Sequence, residues 1–330
     1  GSTDGTAERL RELGAHVTQE AVTPWRFDTA RNRSLELVPE DADLCVCTDL
    51  DEVFRPGWRA ALEGAWGPDT VQASYRYTWS FRPDGGEDTV FWSEKIHSRQ
   101  GWRWVHPVHE VLERLPGFPP GGKAAAPGVQ LDHHPDPSKS RGQYLPLLEL
   151  SVAEDPEDDR NLHYLGREYL YYSRWDDCIR TLTRHLALPS AVWRDERAAS
   201  MRYIAKAHAK KEERDEARDW YLRAAAEAPH LREPWVDLAM LLYEDQEWDG
   251  VLYATACALK IRDRPRTYIC EAEAWGSLPH DLRCQAYYHT GRLPQALEEA
   301  RLALAAAPSD PRLAGNAELL EKMAGPAGEL

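Results

Sequence analysis

The sequence predicts an α/β domain followed by an all-α domain, and three observations carry that division. Up to about residue 135, short strand-like apolar runs alternate with loops. From about Ser140 onward, apolar residues recur at i, i+3, i+4 and i+7 in a background rich in Ala, Leu, Arg and Glu. The helical part also repeats itself, at intervals suited to stacked helical hairpins. A chain of 330 residues is long enough for about two domains, and 42% hydrophobic residues suffice to give each a core. The boundary is placed so that residues 1–142 form the first domain and 143–330 the second.

Each element follows from local pattern. A Gly-Ser-Thr-Asp-Gly-Thr opening leads into a helix, then a strand-like run at Ala15, His16 and Val17. A second helix starts within residues 25–32 and leads into a strand at Leu44, Cys45, Val46 and Cys47. Residues 71–79 and then Val90, Phe91 and Trp92 read as further strands. Pro and Gly crowd residues 115–128, which are expected to be loop because neither sustains a helix or a central strand.

The helical half shows one pattern four times. Leu165, Gly166, Tyr169, Cys178 and Leu182 begin it, and Ile204, Ala205, Ala217, Tyr221, Ala224 and Pro229 repeat it. Trp235, Leu238, Ala239 and Trp248 start a third copy that fades near Thr255, and Gly291, Ala296, Ala300, Ala303 and Pro308 make a fourth. The equivalent small residues 166, 205 and 239 lie 39 and 34 apart. Small residues are needed where the helices of a hairpin touch, and large ones plug the next hairpin. This pattern resembles the tetratricopeptide repeat. The stack is either a rigid support for the first domain or a concave groove for a peptide or protein partner, and the pattern leaves both open.

Composition excludes several function classes. The net charge of −15 is spread evenly, with 16 Lys/Arg against 23 Asp/Glu in residues 1–150. Without a basic half or tail, nucleic acid is not an expected ligand. No apolar run approaches the ~20 residues that span a bilayer, so no integral membrane segment is expected. The six cysteines lack disulfide-framework or Cys-x-x-Cys spacing, which suggests a reducing, cytoplasmic setting.

Three clusters carry the candidate chemistry. Asp49, Leu50, Asp51 and Glu52 follow the Val- and Cys-rich strand. Alternation is expected to put Asp49 and Asp51 on one side of an extended strand end, a hard-oxygen site for Mn²⁺ or Mg²⁺. The second cluster runs through residues 94–99 and 102–110 and includes Lys95, His97, Arg99, His106, His109 and Glu110. Its mixture of aromatic and cationic residues suits a sugar face beside a phosphate clamp. The third is Asp132, His133 and His134, then Lys139 and Arg141.

In order, the Gly-Ser-Thr-Asp-Gly-Thr opening, Ala30-Arg31-Asn32 and Asp49-Leu50-Asp51 resemble the GT-A glycosyltransferases of family 2. The likeness runs to about residue 145, and the repeats that follow match a bacterial and phage branch joining the two modules. It implies a truncated GT-A, Rossmann-like mixed sheet, since members normally begin with a strand, a helix and a second strand ahead of the Gly-Ser. It further implies a nucleotide-diphosphate sugar as donor, with Asp4, Arg31 and Asp49 facing its nucleotide part. Asp51 would bind the divalent cation, His133 in preference to His134 would complete its shell, and Glu52 would assist or only orient its neighbours. Glu110 is the implied catalytic base of an inverting transfer. Lys139 and Arg141 would meet the diphosphate or cap the first repeat helix. The acceptor stays open: a glycan, a lipid-linked sugar, a protein or another nucleophile. Two other readings compete. One is a repeat scaffold carrying a degenerate first domain; the other is a metal hydrolase built on His97, His106, His109, Asp132, His133 and His134.

Overall fold

The computed structural model describes residues 4–82, 85–136 and 142–324. Helices α1 (Thr6–Glu12) and α2 (Phe27–Glu36) lead into β1 (Leu44–Val46), β2 (Glu52–Phe54) and α3 (Trp58–Ala65). Strands β3 (Thr70–Thr78), β4 (Val90–Ser98), β5 (Trp102–Val105), β6 (Val111–Arg114) and β7 (Gly122–His133) follow. Five strands form one mixed sheet in the order β1-β4-β3-β7-β2, with β3 parallel to β7 and the other pairings antiparallel. Strands β5 and β6 form a separate hairpin. Alternation along β3 turns Ala73, Tyr75 and Tyr77 to one face, where α3 lays Leu62 against them beside Ile96, Ala126, Val129 and Leu131. Burying each large side chain in that layer is worth ~1.5–3 kcal/mol.

Two expectations for this half need correction. Ala15, His16 and Val17 form no strand and are largely exposed. A run of three residues buries too little to offset the entropy of ordering it. The second half of the expected Pro/Gly loop is strand: β7 starts at Gly122 and pairs with β3 through Ala126. The register then jumps from Tyr75 opposite Ala126 to Arg76 opposite Gln130. Pro127, Gly128 and Val129 are therefore bulged out, and a bulge is where a residue without an N–H is tolerated inside a sheet. Gly128 passes close under α3, where an added Cβ would stand 3.1 Å from that of Ala61.

The rest is helical: α4 (Tyr144–Glu154), α5 (Asp159–Tyr171), α6 (Trp175–Ala187), α7 (Arg194–Lys210), α8 (Arg214–Glu227), α9 (Glu233–Glu244) and α10 (Trp248–Lys260). A 3-10 turn at Ala272–Trp275 precedes α11 (Leu278–His289), α12 (Leu293–Ala306) and α13 (Pro311–Ala324). Each of the four sequence copies is one hairpin, α5/α6, α7/α8, α9/α10 and α11/α12. The small residues lie where the helices touch. Ala205, Ala217, Ala239 and Ala296 are fully buried, and a Cβ on Gly166 would stand 2.3 Å from the Leu182 side chain. The third copy does not fade at Thr255. That residue is buried inside α10 with its hydroxyl donating to the Val251 carbonyl at 2.7 Å, so the helix absorbs a polar residue without ending.

The two halves are joined by the turn of the β5–β6 hairpin. Val108 is buried among Leu147, Leu148 and Tyr164, and the His109 ring stacks on that of Tyr164 at 4.1 Å. Arg26 forms an ion pair with Glu154 on α4, and Asn161 Nδ2 lies 3.0 Å from His106 Nδ1.

Candidate functional site

Strand β1 ends at Val46, and the chain turns through residues 49–51 into β2. The turn is closed by Glu52, whose amide donates to the Asp49 carbonyl at 3.1 Å and whose carboxylate accepts the Asp49 amide at 2.8 Å. The two aspartates are thus not successive residues of an extended strand; a tight turn gives each its own partners. Leu50, between them, points into solvent.

Asp49 faces cations. Arg31 Nη2 donates to both of its oxygens at 2.9 and 3.0 Å, and Lys95 Nζ reaches it at 3.3 Å. The same Arg31 binds Glu110 through Nε, which brings the implied catalytic base and the implied nucleotide contacts into one network. Helix α2 holds Arg31 there through its neighbour. The Asn32 side chain donates to the Trp104 carbonyl at 2.9 Å and accepts the Trp104 amide at 2.8 Å, and the guanidinium lies 4.9 Å over the Trp104 ring. Burial would push the Asp49 carboxyl up, but Lys95 and Arg31 outweigh it and hold the group below its usual range. Arg31, despite its own burial, is pushed up by Glu110 and Asp49 and stays charged.

Glu52 has a buried carboxylate that accepts the Tyr77 hydroxyl at 2.8 Å and Lys95 at 3.0 Å. With its other oxygen on the Asp49 amide, Glu52 is an orienting group. Burial, then the neighbouring Glu52 charge, push the Tyr77 hydroxyl well above its ordinary value, so it remains a donor.

Asp51 faces the far end of β7. Its Oδ2 stands 3.9 Å from His133 Nε2, and its carbonyl accepts the His134 amide at 2.7 Å. The His133 ring is stacked on Trp79 at 4.4 Å, with Nδ1 3.1 Å from the Trp79 carbonyl. A carbonyl only accepts, so Nδ1 is the donor in that contact and Nε2 is the nitrogen turned toward Asp51. One carboxylate and one imidazole nitrogen are a fitting but incomplete donor set for a divalent cation. Among the described residues, the acidic turn forms no cluster of three ligating side chains. Such a cluster occurs instead in the helical half, at Asp159, His185 and Glu196.

The other candidate residues divide. Asp4 lies just before α1, accepting the Thr6 amide and hydroxyl at 3.1 and 2.6 Å. Lys139 and Arg141 lie outside the described residues. The histidines of the hydrolase reading are dispersed. His97 is buried in β4 with Nδ1 on the Ser98 carbonyl, His106 and His109 meet the repeats, and Asp132 binds Arg55 at 2.8 Å. Tyr77 joins the network without a role expected from sequence, and Lys95 joins it from the cation-rich cluster of residues 94–99. The β3–β4 register shifts between Ser93 and Ile96, so alternation does not place Lys95; its Nζ lies 5.9 Å from the Tyr77 ring, and the β1–β4 pairing brings it to Asp49.

No protein-family model matches the chain, and no curated protein matches it. Among solved structures it is similar to MamA, at 18% identity and a TM-score of 0.40 over 49% of this chain and 85% of that one. It is similar also to YrrB, a TPR protein with an unusual peptide-binding site (14%, 0.41, 54% and 83%). A third is TTC0263, a thermophilic TPR protein in Thermus thermophilus (18%, 0.39, 54% and 91%). At these scores the repeat architecture stands on the chain's own hairpins and small-residue contacts. Among the described residues, no helix is long and apolar enough to cross a membrane.

Proposed function

We propose that the first domain is a glycosyltransferase that takes a nucleotide-diphosphate sugar together with Mn²⁺ or Mg²⁺ and transfers the sugar, with inversion, to an acceptor hydroxyl. The observation that carries this reading is the approach of Asp51 and His133, 82 positions apart in sequence, to 3.9 Å with an imidazole nitrogen facing a carboxylate. Asp51 and His133 would hold the cation, which when bound supplies positive charge against the leaving diphosphate. Arg31 and Lys95 supply further positive charge on the Asp49 side of the turn. A diphosphate competing for Arg31 would loosen its ion pair with Glu110. The freed carboxylate takes the acceptor proton as the new sugar–oxygen bond forms, while the bond to the diphosphate breaks and its electron pair leaves with the diphosphate. Calorimetric titration of UDP and GDP in the presence of Mn²⁺ tests the reading. Binding lost in Asp51→Ala and His133→Ala supports it; no binding of either nucleotide by the intact chain overturns it.

A second reading, a repeat scaffold with an inactive first domain, is favoured by two observations. Arg31 and Lys95 are already engaged by Asp49, Glu52 and Glu110, and the Asp4 carboxylate is engaged by Thr6. The repeats meanwhile hold a cavity of about 250 Å³ lined by Arg202, Lys206, Arg214, Met240 and Glu271, of a size for a few side chains of a peptide or protein partner. A peptide array probed with the full chain would yield binders that Met240→Asp loses.

A further inference from the structure

We propose that Asp159, His185 and Glu196 form a zinc-class metal site that clips helices α5, α6 and α7 together. One ligating atom from each lies within 4.8 Å of the others. His185 is fully buried on α6, and its two nitrogens have unequal surroundings. Nδ1 lies 3.0 Å from the Ser200 hydroxyl, which is itself 2.7 Å from Nδ1 of the buried His163. Ser200 has one proton to give. Given along the shorter contact, to His163, it leaves Ser200 accepting from His185 Nδ1–H. The lone pair of His185 is then on Nε2.

That nitrogen is buried and has no hydrogen-bond partner among the described residues. It faces Glu196 Oε1 at 3.5 Å. The gap is long for an N–H···O bond, which spans ~2.7–3.2 Å. It is close to the ~3.3 Å between two ligands held about 2.0–2.1 Å from a tetrahedral zinc. Two lone-pair atoms facing each other in a buried site repel unless a cation lies between them. The rest of the surroundings hold the ligands in place. The Tyr268 hydroxyl donates to the other Glu196 oxygen at 2.5 Å, and Ser200 fixes the imidazole, the kind of outer contact that orients metal ligands. Asp159, at the half-exposed start of α5, supplies the third ligand and a route from solvent. Arg160 puts its guanidinium 5.9 Å over the Tyr268 ring, so both carboxylates are needed to keep the site attractive to a cation. An imidazole with two carboxylates suits zinc better than magnesium.

The rival occupant of the gap is a proton on His185 Nε2, and the experiment separates the two. The full chain, stripped with a chelator, is titrated with Zn²⁺ alone and followed by calorimetry and thermal unfolding, with Co²⁺ absorption as a second readout. The expected result is a tight zinc equivalent that raises the unfolding temperature and gives Co²⁺ a tetrahedral spectrum. At ~100-fold excess over Kd, zinc shifts the folding equilibrium ~100-fold. Asp159→Asn and Glu196→Gln should each weaken that equivalent at least ~10-fold. The amide oxygen introduced by Glu196→Gln could still accept from Tyr268, and Asp159 is half exposed, so one variant remains informative if the other fails to fold. Asp51→Asn should leave it intact, which separates this site from the acidic turn. No stabilising zinc equivalent, or one that survives both Asp159→Asn and Glu196→Gln, overturns the proposal.

Discussion

The acidic turn and the α5–α7 cluster both crowd carboxylates against nitrogen bases, and they differ in what those bases can do. At the turn, Asp49, Glu52 and Glu110 face Arg31 and Lys95, which pair with at least one oxygen of each carboxylate. At the cluster, Glu196 faces His185, an imidazole with one nitrogen committed to Ser200 and the other without a hydrogen bond among the described residues. Three carboxylates with two cations form a nearly self-sufficient network, whereas two with a single imidazole do not. The number of acidic groups therefore says less about metal binding than the remaining capacity of the groups opposite them.

The largest effect should come from disturbing the self-sufficient network. Arg31 and Glu110 are both mostly buried, so Arg31→Ala leaves Glu110 and Asp49 facing each other without their shared cation. Breaking a buried pair on one side costs ~3–5 kcal/mol; the partial exposure of Asp49 puts the expected loss at about 3. Urea unfolding measures it, and the Arg31→Ala/Glu110→Ala double variant should recover part. A double variant as unstable as the sum of the two single ones would mean the pair is not coupled.

A smaller loss should follow from crowding the repeats. Gly166→Val places a branched side chain where even a Cβ meets Leu182 at 2.3 Å, and overpacking of this kind costs ~1–3 kcal/mol. Gly315 on α13 has no neighbour within 4 Å of an added Cβ among the described residues, so Gly315→Ala should be neutral or stabilising by up to ~1 kcal/mol. Equal effects of the two substitutions would remove the packing reason for the small residue in the first hairpin.

That contrast also explains what could be read from the residues alone. The hairpins were legible because helix packing is local. Gly166, Ala205 and Ala239 announce each contact within one repeat length. The sheet was legible only strand by strand. Nothing in residues 122–133 says that they run parallel to β3, or that Pro127 to Val129 bulge to let them do so. Asp51 and His133 were paired through a family resemblance rather than by spacing, and the strand pairing of Glu52 with His133 is what brings them near. Asp159, His185 and Glu196 gave no signal, because three separate helices contribute one residue each. Asp49 and Asp51 looked like one unit because they are two apart; the turn at Leu50 gave them different partners.

Acid should separate the two regions next. Burial lowers the His163 pKa from its ordinary 6.5 to about 3, so the unfolded chain binds this proton before the folded one does. Its contribution is complete above pH 6.5 and is lost as pH falls toward 3, with a slope of at most ~1.4 kcal/mol per pH unit. Asp49, held below its ordinary 3.8, keeps its contribution until the pH falls below that value. Unfolding followed from pH 7 to 4 should therefore weaken less steeply in His163→Gln, and hardly differently in Asp49→Asn. An unchanged slope in His163→Gln would remove the histidine from the account of acid sensitivity.

The smallest effect sits at the joint between the regions. His109 has φ +53°, a left-handed backbone that a residue with a Cβ adopts at a cost of ~1–2 kcal/mol. Its ring is stacked on Tyr164 at 4.1 Å, a contact worth ~0.5–1.5 kcal/mol. The two contributions oppose each other, and two substitutions separate them. His109→Ala removes the ring and keeps the strained backbone, so it should destabilise. His109→Gly removes the ring and the strain together, so it should unfold later than the Ala variant by about 1 kcal/mol. Should the Ala variant be the more stable, the backbone at His109 is not strained, and the ring contact alone holds the hairpin turn against the repeats.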